Sequence, residues 1–231
     1  MKTSQPISIS FSGIDGAGKS TQIQALRDAL ERAGLRVRIV AFWDDIAALT
    51  RLREGAGHRI FKGEKGVGSP EKPVNRRDKN VRSWPMALIR LGLCLLDSFS
   101  TRLRVRQALQ SGADAIIFDR YLYDQFANLN LRRPFIRAYV GAVMRLVPRL
   151  DVSYILDADP AQARARKPEY PLDFIQVNRQ AYLDLANLLG GLAVIPPGPV
   201  ADVHANILRH LPLNHGAPQV PGLADLLKNS G

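Results

Sequence analysis

The chain has 231 residues, 46% of them hydrophobic, one cysteine, a net charge of +11 and a pI near 10.2. That length suits a single domain with a real core, and the lone Cys94 excludes an internal disulfide and suits a reducing compartment. Residues 1–6 lack the apolar stretch of a signal peptide. The apolar run over 86–96 is broken by Arg90 and is shorter than the ~20 residues of a membrane span. The expectation is therefore a cytoplasmic protein without a membrane span, whose basic excess calls for anionic partners.

Residues 7–11 alternate in polarity and predict a strand. It leads into Gly13-Ile14-Asp15-Gly16-Ala17-Gly18-Lys19-Ser20, the spacing of a phosphate-binding loop. A helical pattern over 21–33 follows, which is the context that motif requires. Glycines let backbone N–H groups curl inward onto phosphate oxygens, and the helix N-terminus adds partial positive charge. Gly13, Gly16, Ala17, Gly18, Lys19, Ser20 and Thr21 are thus the expected ATP phosphate-binding residues. Lys19 would reach the terminal phosphates and the Ser20 hydroxyl would ligate Mg²⁺. The other reading, a glycine-rich turn without a ligand, does not need Lys-Ser at this spacing.

Residues 35–42 predict a second strand, with Val37, Ile39 and Ala41 on one face and Arg36 and Arg38 on the other. Strand, helix, strand in this order predicts a right-handed crossover and a parallel sheet. Residues 43–83 form an insertion rich in glycine and basic residues, too long for an ordinary connection. It reads either as a cover over the active site or as a surface loop. A long helix follows from Trp84, with Met86, Ile89, Leu93, Leu96, Phe99 and Leu103 on one face, which implies deep burial or a subunit interface.

Residues 115–118 predict a buried strand that delivers Asp119-Arg120-Tyr121 at its C-terminal end, where open α/β sheets bind ligands. An acid there suits Mg²⁺, and an adjacent arginine can clamp phosphate with both arms. Further strands are expected over 152–156 and 192–195, and helices from residue 123, over 134–147, 172–189 and 200–211. A basic cluster, Arg164-Ala165-Arg166-Lys167, lies on a short helix between. The whole predicts an α/β fold with a five-stranded parallel sheet and helices on both faces. Residues 1–211 would form one domain with the insertion inside it, and 212–231 a C-terminal extension.

These pieces together resemble the thymidylate kinase family of P-loop nucleoside monophosphate kinases. The resemblance rests on the stretch 11–22, on Asp119-Arg120-Tyr121, on Ile155-Leu156-Asp157-Ala158-Asp159-Pro160, on Arg164 and Arg166, and on Tyr182-Leu183-Asp184-Leu185-Ala186. It implies a kinase domain over 1–211 with a lid at about 160–171, ATP as donor, Mg²⁺ held by Ser20 and Asp119, and a homodimer formed through the long helix. Lys19, Asp119, Arg120, Arg164 and Arg166 would be catalytic. Asp15 would touch the acceptor sugar, and the lid arginines would supply the cation that the loop lacks, because Gly16 follows Asp15.

The acceptor side departs from the family pattern. The family's base-stacking Phe and base-reading Arg fall at Cys94 and Ser98, and its small polar pair is replaced by Asp124-Gln125. Trp43, Asp44, Tyr121 and Asp124 join Asp15 and Arg120 as acceptor-binding candidates. Three readings stay open: a dTMP kinase with a rebuilt base pocket, a P-loop kinase for another nucleotide, nucleoside or phosphorylated metabolite, and a nucleotide-dependent binding module. The scarcity of aromatics in the basic insertion speaks against nucleic acid.

Overall fold

The computed structural model describes residues 5–42 and 84–211, the side chains of 84–90 excepted. The insertion, including Trp43 and Asp44, and the C-terminal extension lie outside the described residues. Strand β1 (Ile7–Ser12) leads through the phosphate loop into α1 (Lys19–Arg32) and β2 (Val37–Ala41). Then come α2 (Trp84–Leu109), β3 (Ala115–Asp119), α3 (Leu122–Phe126), α4 (Pro134–Met144), β4 (Val152–Leu156), α5 (Pro160–Arg166), α6 (Leu172–Leu189), β5 (Ala193–Ile195) and α7 (Val200–Arg209). The five strands are all parallel, as expected from the sequence, and stand in the order β2-β3-β1-β4-β5.

Side chains alternate across each strand, so the sheet divides the core in two. Ile7, Ile9 and Phe11 of β1 and Ala115 and Ile117 of β3 pack with Ile23, Leu26 and Leu30 of α1 and Ile207 and Leu208 of α7. On the other face Ile116 and Phe118 meet Cys94, Val105 and Ala108 of α2, Val140 of α4 and Leu185 of α6. The alternate residues of β1, Ser8, Ser10 and Ser12, are buried too. A central strand covered on both faces would ordinarily carry apolar residues throughout. Here Ser8 and Ser12 instead hydrogen-bond carboxylates of Asp151 and Asp124.

The faces of β2 and α2 are covered unevenly. On β2 the buried residue is Val40, continued by Phe42, whereas Ile39 is exposed. β2 is an edge strand of the sheet, and Val40 and Phe42 share one core cluster with Cys94, Val105 and Ala108 of α2. On α2 the apolar stripe, for which the sequence left deep burial or a subunit interface open, is not buried within the chain: Leu96, Phe99 and Leu103 are 47%, 61% and 59% exposed. The buried face of α2 is Cys94, Asp97, Ser98, Thr101, Val105 and Ala108. Of these, Cys94, Val105 and Ala108 share one core cluster with the aromatic side chains of Phe118, Tyr121 and Tyr123.

Candidate active site

The C-terminal ends of β1, β3 and β4 lie side by side because β1 pairs with both of the others. The loop after β1 closes tightly on its neighbours. A Cβ at Gly13 would stand 2.5 Å from the Leu156 carbonyl oxygen, and one at Gly16 would overlap the carbonyl of Ala163 in α5. Both glycines also have positive φ, so no larger residue fits the path or the space. Lys19 is buried, and its ammonium donates to the carbonyls of Gly13 and Ile14 at 2.8 Å each. Burial first, then the Arg120 charge, lower its pKa to about 8, while Asp124, Asp15 and Asp119 pull the other way.

Across the loop, β3 ends at Asp119. Arg120 keeps one ladder bond, its N–H to the Phe11 carbonyl at 2.9 Å, and then turns out with φ 69°. A left-handed non-glycine residue costs on the order of 1 kcal/mol. The turn carries the guanidinium across the loop mouth, where one arm binds Asp15 at 2.5 Å and the other binds Asp124 at 2.9 Å. Burial disfavours its charge, but Asp124 and Asp15 outweigh that and raise its pKa. Burial also works against ionised Asp15, and Arg120, Lys19 and Lys167 reverse it, leaving its pKa below the usual value.

Asp124, expected to touch the acceptor, is 2% exposed. Its Oδ1 accepts from Arg120 and from the Tyr182 hydroxyl at 2.7 Å, and its Oδ2 accepts from the Ser12 hydroxyl at 2.6 Å and the Tyr121 N–H at 3.2 Å. Tyr121, also expected at the acceptor, is wholly buried, and its hydroxyl donates to the Pro148 carbonyl at 2.8 Å. Tyr121 is therefore a core side chain: the backbone turn that sends Arg120 outward sends the next residue inward.

Helix α5 starts with Asp159 as its cap, Oδ1 accepting the Gln162 N–H at 2.9 Å. It carries Arg164, partly buried, and Arg166, exposed. A guanidinium nitrogen of Arg166 lies 3.9 Å from where a Cβ on Gly18 would stand, so this arginine is beside the phosphate loop. After α5, Arg179 of α6 forks onto both oxygens of Asp157 at 2.6 and 2.7 Å, tying α6 to the end of β4. Sequence reasoning missed the roles of Ser12, Tyr182 and Arg179. For Ser12 the signal was present, as three serines at period two in a central strand.

The donor set near the loop suits Mg²⁺. Ser20 is exposed on the first turn of α1, and Asp119 stands opposite Phe11 in register at the end of β3. A hydroxyl and a carboxylate are hard oxygen ligands, few enough to leave positions for water and phosphate oxygens, as Mg²⁺ prefers. Among the described residues no helix is long and apolar enough to cross a membrane.

No protein-family model matches the chain. It is similar to a thymidylate kinase of Deinococcus radiodurans, 31% identical over 202 residues that span 80% of this chain and 84% of that protein. It is 28% identical over 193 residues to a thymidylate kinase of Bifidobacterium longum, spanning 77% and 82% of the two chains. A probable thymidylate kinase of Archaeoglobus fulgidus is 27% identical over 188 residues, spanning 78% and 82%. The similarity thus runs through nearly the whole catalytic fold, beyond the phosphate loop, and the chain, a nucleotide kinase, belongs to the thymidylate kinase family.

Proposed function

We propose that the chain transfers the terminal phosphoryl group of ATP to a nucleoside monophosphate, with dTMP as the first candidate. The observation that carries this reading is Arg120, stretched between Asp15 and Asp124 across the mouth of the phosphate loop. A fixed guanidinium at that place can grip an acceptor phosphate with two parallel hydrogen bonds. A phosphate oxygen then attacks the γ-phosphorus, the bond from that phosphorus to the β-bridging oxygen breaks, and ADP leaves. A monophosphate is mostly ionised at neutral pH, so its attacking oxygen needs no base. A nucleoside hydroxyl would need one, and Asp15, paired with Arg120 and lowered in pKa, is a poor base.

Loop amides and Lys19 would hold the donor phosphates, Arg164 and Arg166 would close over the moving group, and Asp15 would meet the acceptor sugar. Ser20 and Asp119 would hold Mg²⁺, which neutralises charge on the donor phosphates when bound. A loose phosphoryl transition state asks for alignment and charge, and these residues offer both.

A second reading, another nucleotide as acceptor, draws on α2. Cys94 and Ser98 are each 1% exposed, and the Ser98 hydroxyl is bonded to the Cys94 carbonyl at 2.6 Å. Neither short side chain can stack on or fork to a base. ADP release measured across deoxynucleoside and nucleoside monophosphates separates the readings. Stimulation by dTMP above all others is the expected result; stimulation by another monophosphate alone replaces dTMP, and by none of them removes the reading.

We also read the exposed Leu96, Phe99 and Leu103 of α2 as a homodimer face, in a cytoplasmic enzyme. Light scattering after Phe99→Asp tests this: a shift from dimer to monomer is expected, and an unchanged mass counts against it.

A further inference from the structure

We infer that Asp124 is a positioning residue for Arg120, held for that task by Ser12 and Tyr182; this rests on the acceptor role proposed above for Arg120. Asp124 does not reach ligand. It is 2% exposed, and each of its oxygens already accepts two hydrogen bonds from protein donors. One of those donors is the arm of Arg120 that does not face Asp15.

The need for such a residue follows from the geometry of Arg120. Its backbone is left-handed, and its other carboxylate partner, Asp15, is a candidate acceptor contact. An arginine tied to Asp15 alone would move whenever Asp15 turned to a ligand. Asp124 supplies a second anchor that is out of solvent and independent of ligand. It is fixed from three directions: Ser12 at the end of β1, the Tyr121 amide at the start of α3, and Tyr182 on α6, the helix that follows the lid. The central strand, the acceptor arginine and the post-lid helix therefore share one carboxylate. Small residues at this site could not span all of these donors at once, so the acid sets the pose of Arg120 in this chain.

The test is a kinetic cycle on the full chain, with whichever monophosphate the wild type accepts. Misplacing a positioned group by about 1 Å can cost a hundredfold in rate. Asp124→Asn should therefore lower kcat about thirtyfold or more, raise KM for the acceptor, and leave KM for ATP within about twofold. On an Arg120→Ala background the same substitution should add almost nothing, because the residue it acts through is gone. Wild-type turnover in Asp124→Asn, or the full loss repeated on the Arg120→Ala background, overturns the inference. If Asp124→Asn does not fold, Tyr182→Phe with and without Arg120→Ala decides. One lost hydrogen bond predicts roughly a threefold to tenfold drop in kcat that vanishes on the second background, and an additive drop overturns the inference. A wild type that ignores dTMP but uses another monophosphate defeats the dTMP reading and leaves this cycle intact.

Discussion

The phosphate-loop segment and the corner around Arg120, proposed as the donor and acceptor sides, stand next to each other at one end of the sheet and are built by different means. The loop is made of backbone. Its shape depends on glycines pressed against the carbonyls of Leu156 and Ala163, and its lysine is folded onto carbonyls five and six residues away. The corner is made of side chains from distant parts of the chain. Arg120 meets Asp15 across 105 residues, Ser12 meets Asp124 across 112, and Tyr182 meets Asp124 across 58. A backbone cradle serves any polyphosphate, whereas a side-chain network can be rebuilt one residue at a time. The acceptor side is where this chain departs from the family pattern.

The largest expected effect separates the two regions by which substrate suffers. Removing one preorganised hydrogen-bond donor from an oxyanion site costs about 100- to 1000-fold, and a phosphate site poses the same electrostatic demand. Lys19→Ala should lose that factor in kcat/KM for ATP. Arg120→Ala should lose a similar factor in kcat/KM for the acceptor while ATP still binds. Steady-state kinetics with each substrate varied in turn makes the comparison. Equal losses on both substrates in both variants would mean that the two regions do not divide the work.

The same contrast explains what could be read in advance. The loop was legible because backbone geometry imposes residue types at fixed spacing, and the five parallel strands were legible from alternation and short apolar runs. Tyr121 was misjudged because adjacency in sequence to Arg120 says nothing about direction once the backbone turns left-handed. Asp124 was flagged as unusual, yet its partners Ser12 and Tyr182 lie too far off in sequence for any spacing rule. On α2 the stripe of Leu96, Phe99 and Leu103 was seen correctly as apolar, but periodicity shows that a face is apolar and not what covers it. The buried face instead carries Cys94, Val105 and Ala108, which share one core cluster with the large side chains of Phe118, Tyr121 and Tyr123.

Smaller effects are expected from the lid, which belongs to neither region alone. Arg166→Ala or Arg164→Ala should lower kcat about tenfold to a hundredfold, with the ATP dissociation constant changed far less, because a lid cation acts mainly on charge that spreads during transfer. Arg166, beside Gly18, should be the more costly loss. Full turnover in both variants, measured as single-turnover ADP formation, would remove the lid from the mechanism.

The smallest effect is in pH, and it falls on one region only. Lys19 in the free protein titrates at about 8, lowered by burial and by Arg120. Only the protonated ammonium attracts donor phosphates, so ATP affinity should weaken as pH rises through about 8, by at most about tenfold per unit. On the acceptor side the signs are reversed. Arg120 is raised above an already high pKa, and Asp15 is held below the ordinary carboxylate value, so both stay charged from neutral pH upward. The acceptor dissociation constant should therefore be flat over the same window. Calorimetric titrations of each ligand between about pH 7 and 9.5, a range set by the lysine's lowered value and its usual one near 10.4, measure both. An ATP affinity that holds steady up to the usual lysine range would mean that the loop does not depress Lys19, and the donor side would then be as indifferent to pH as the acceptor side.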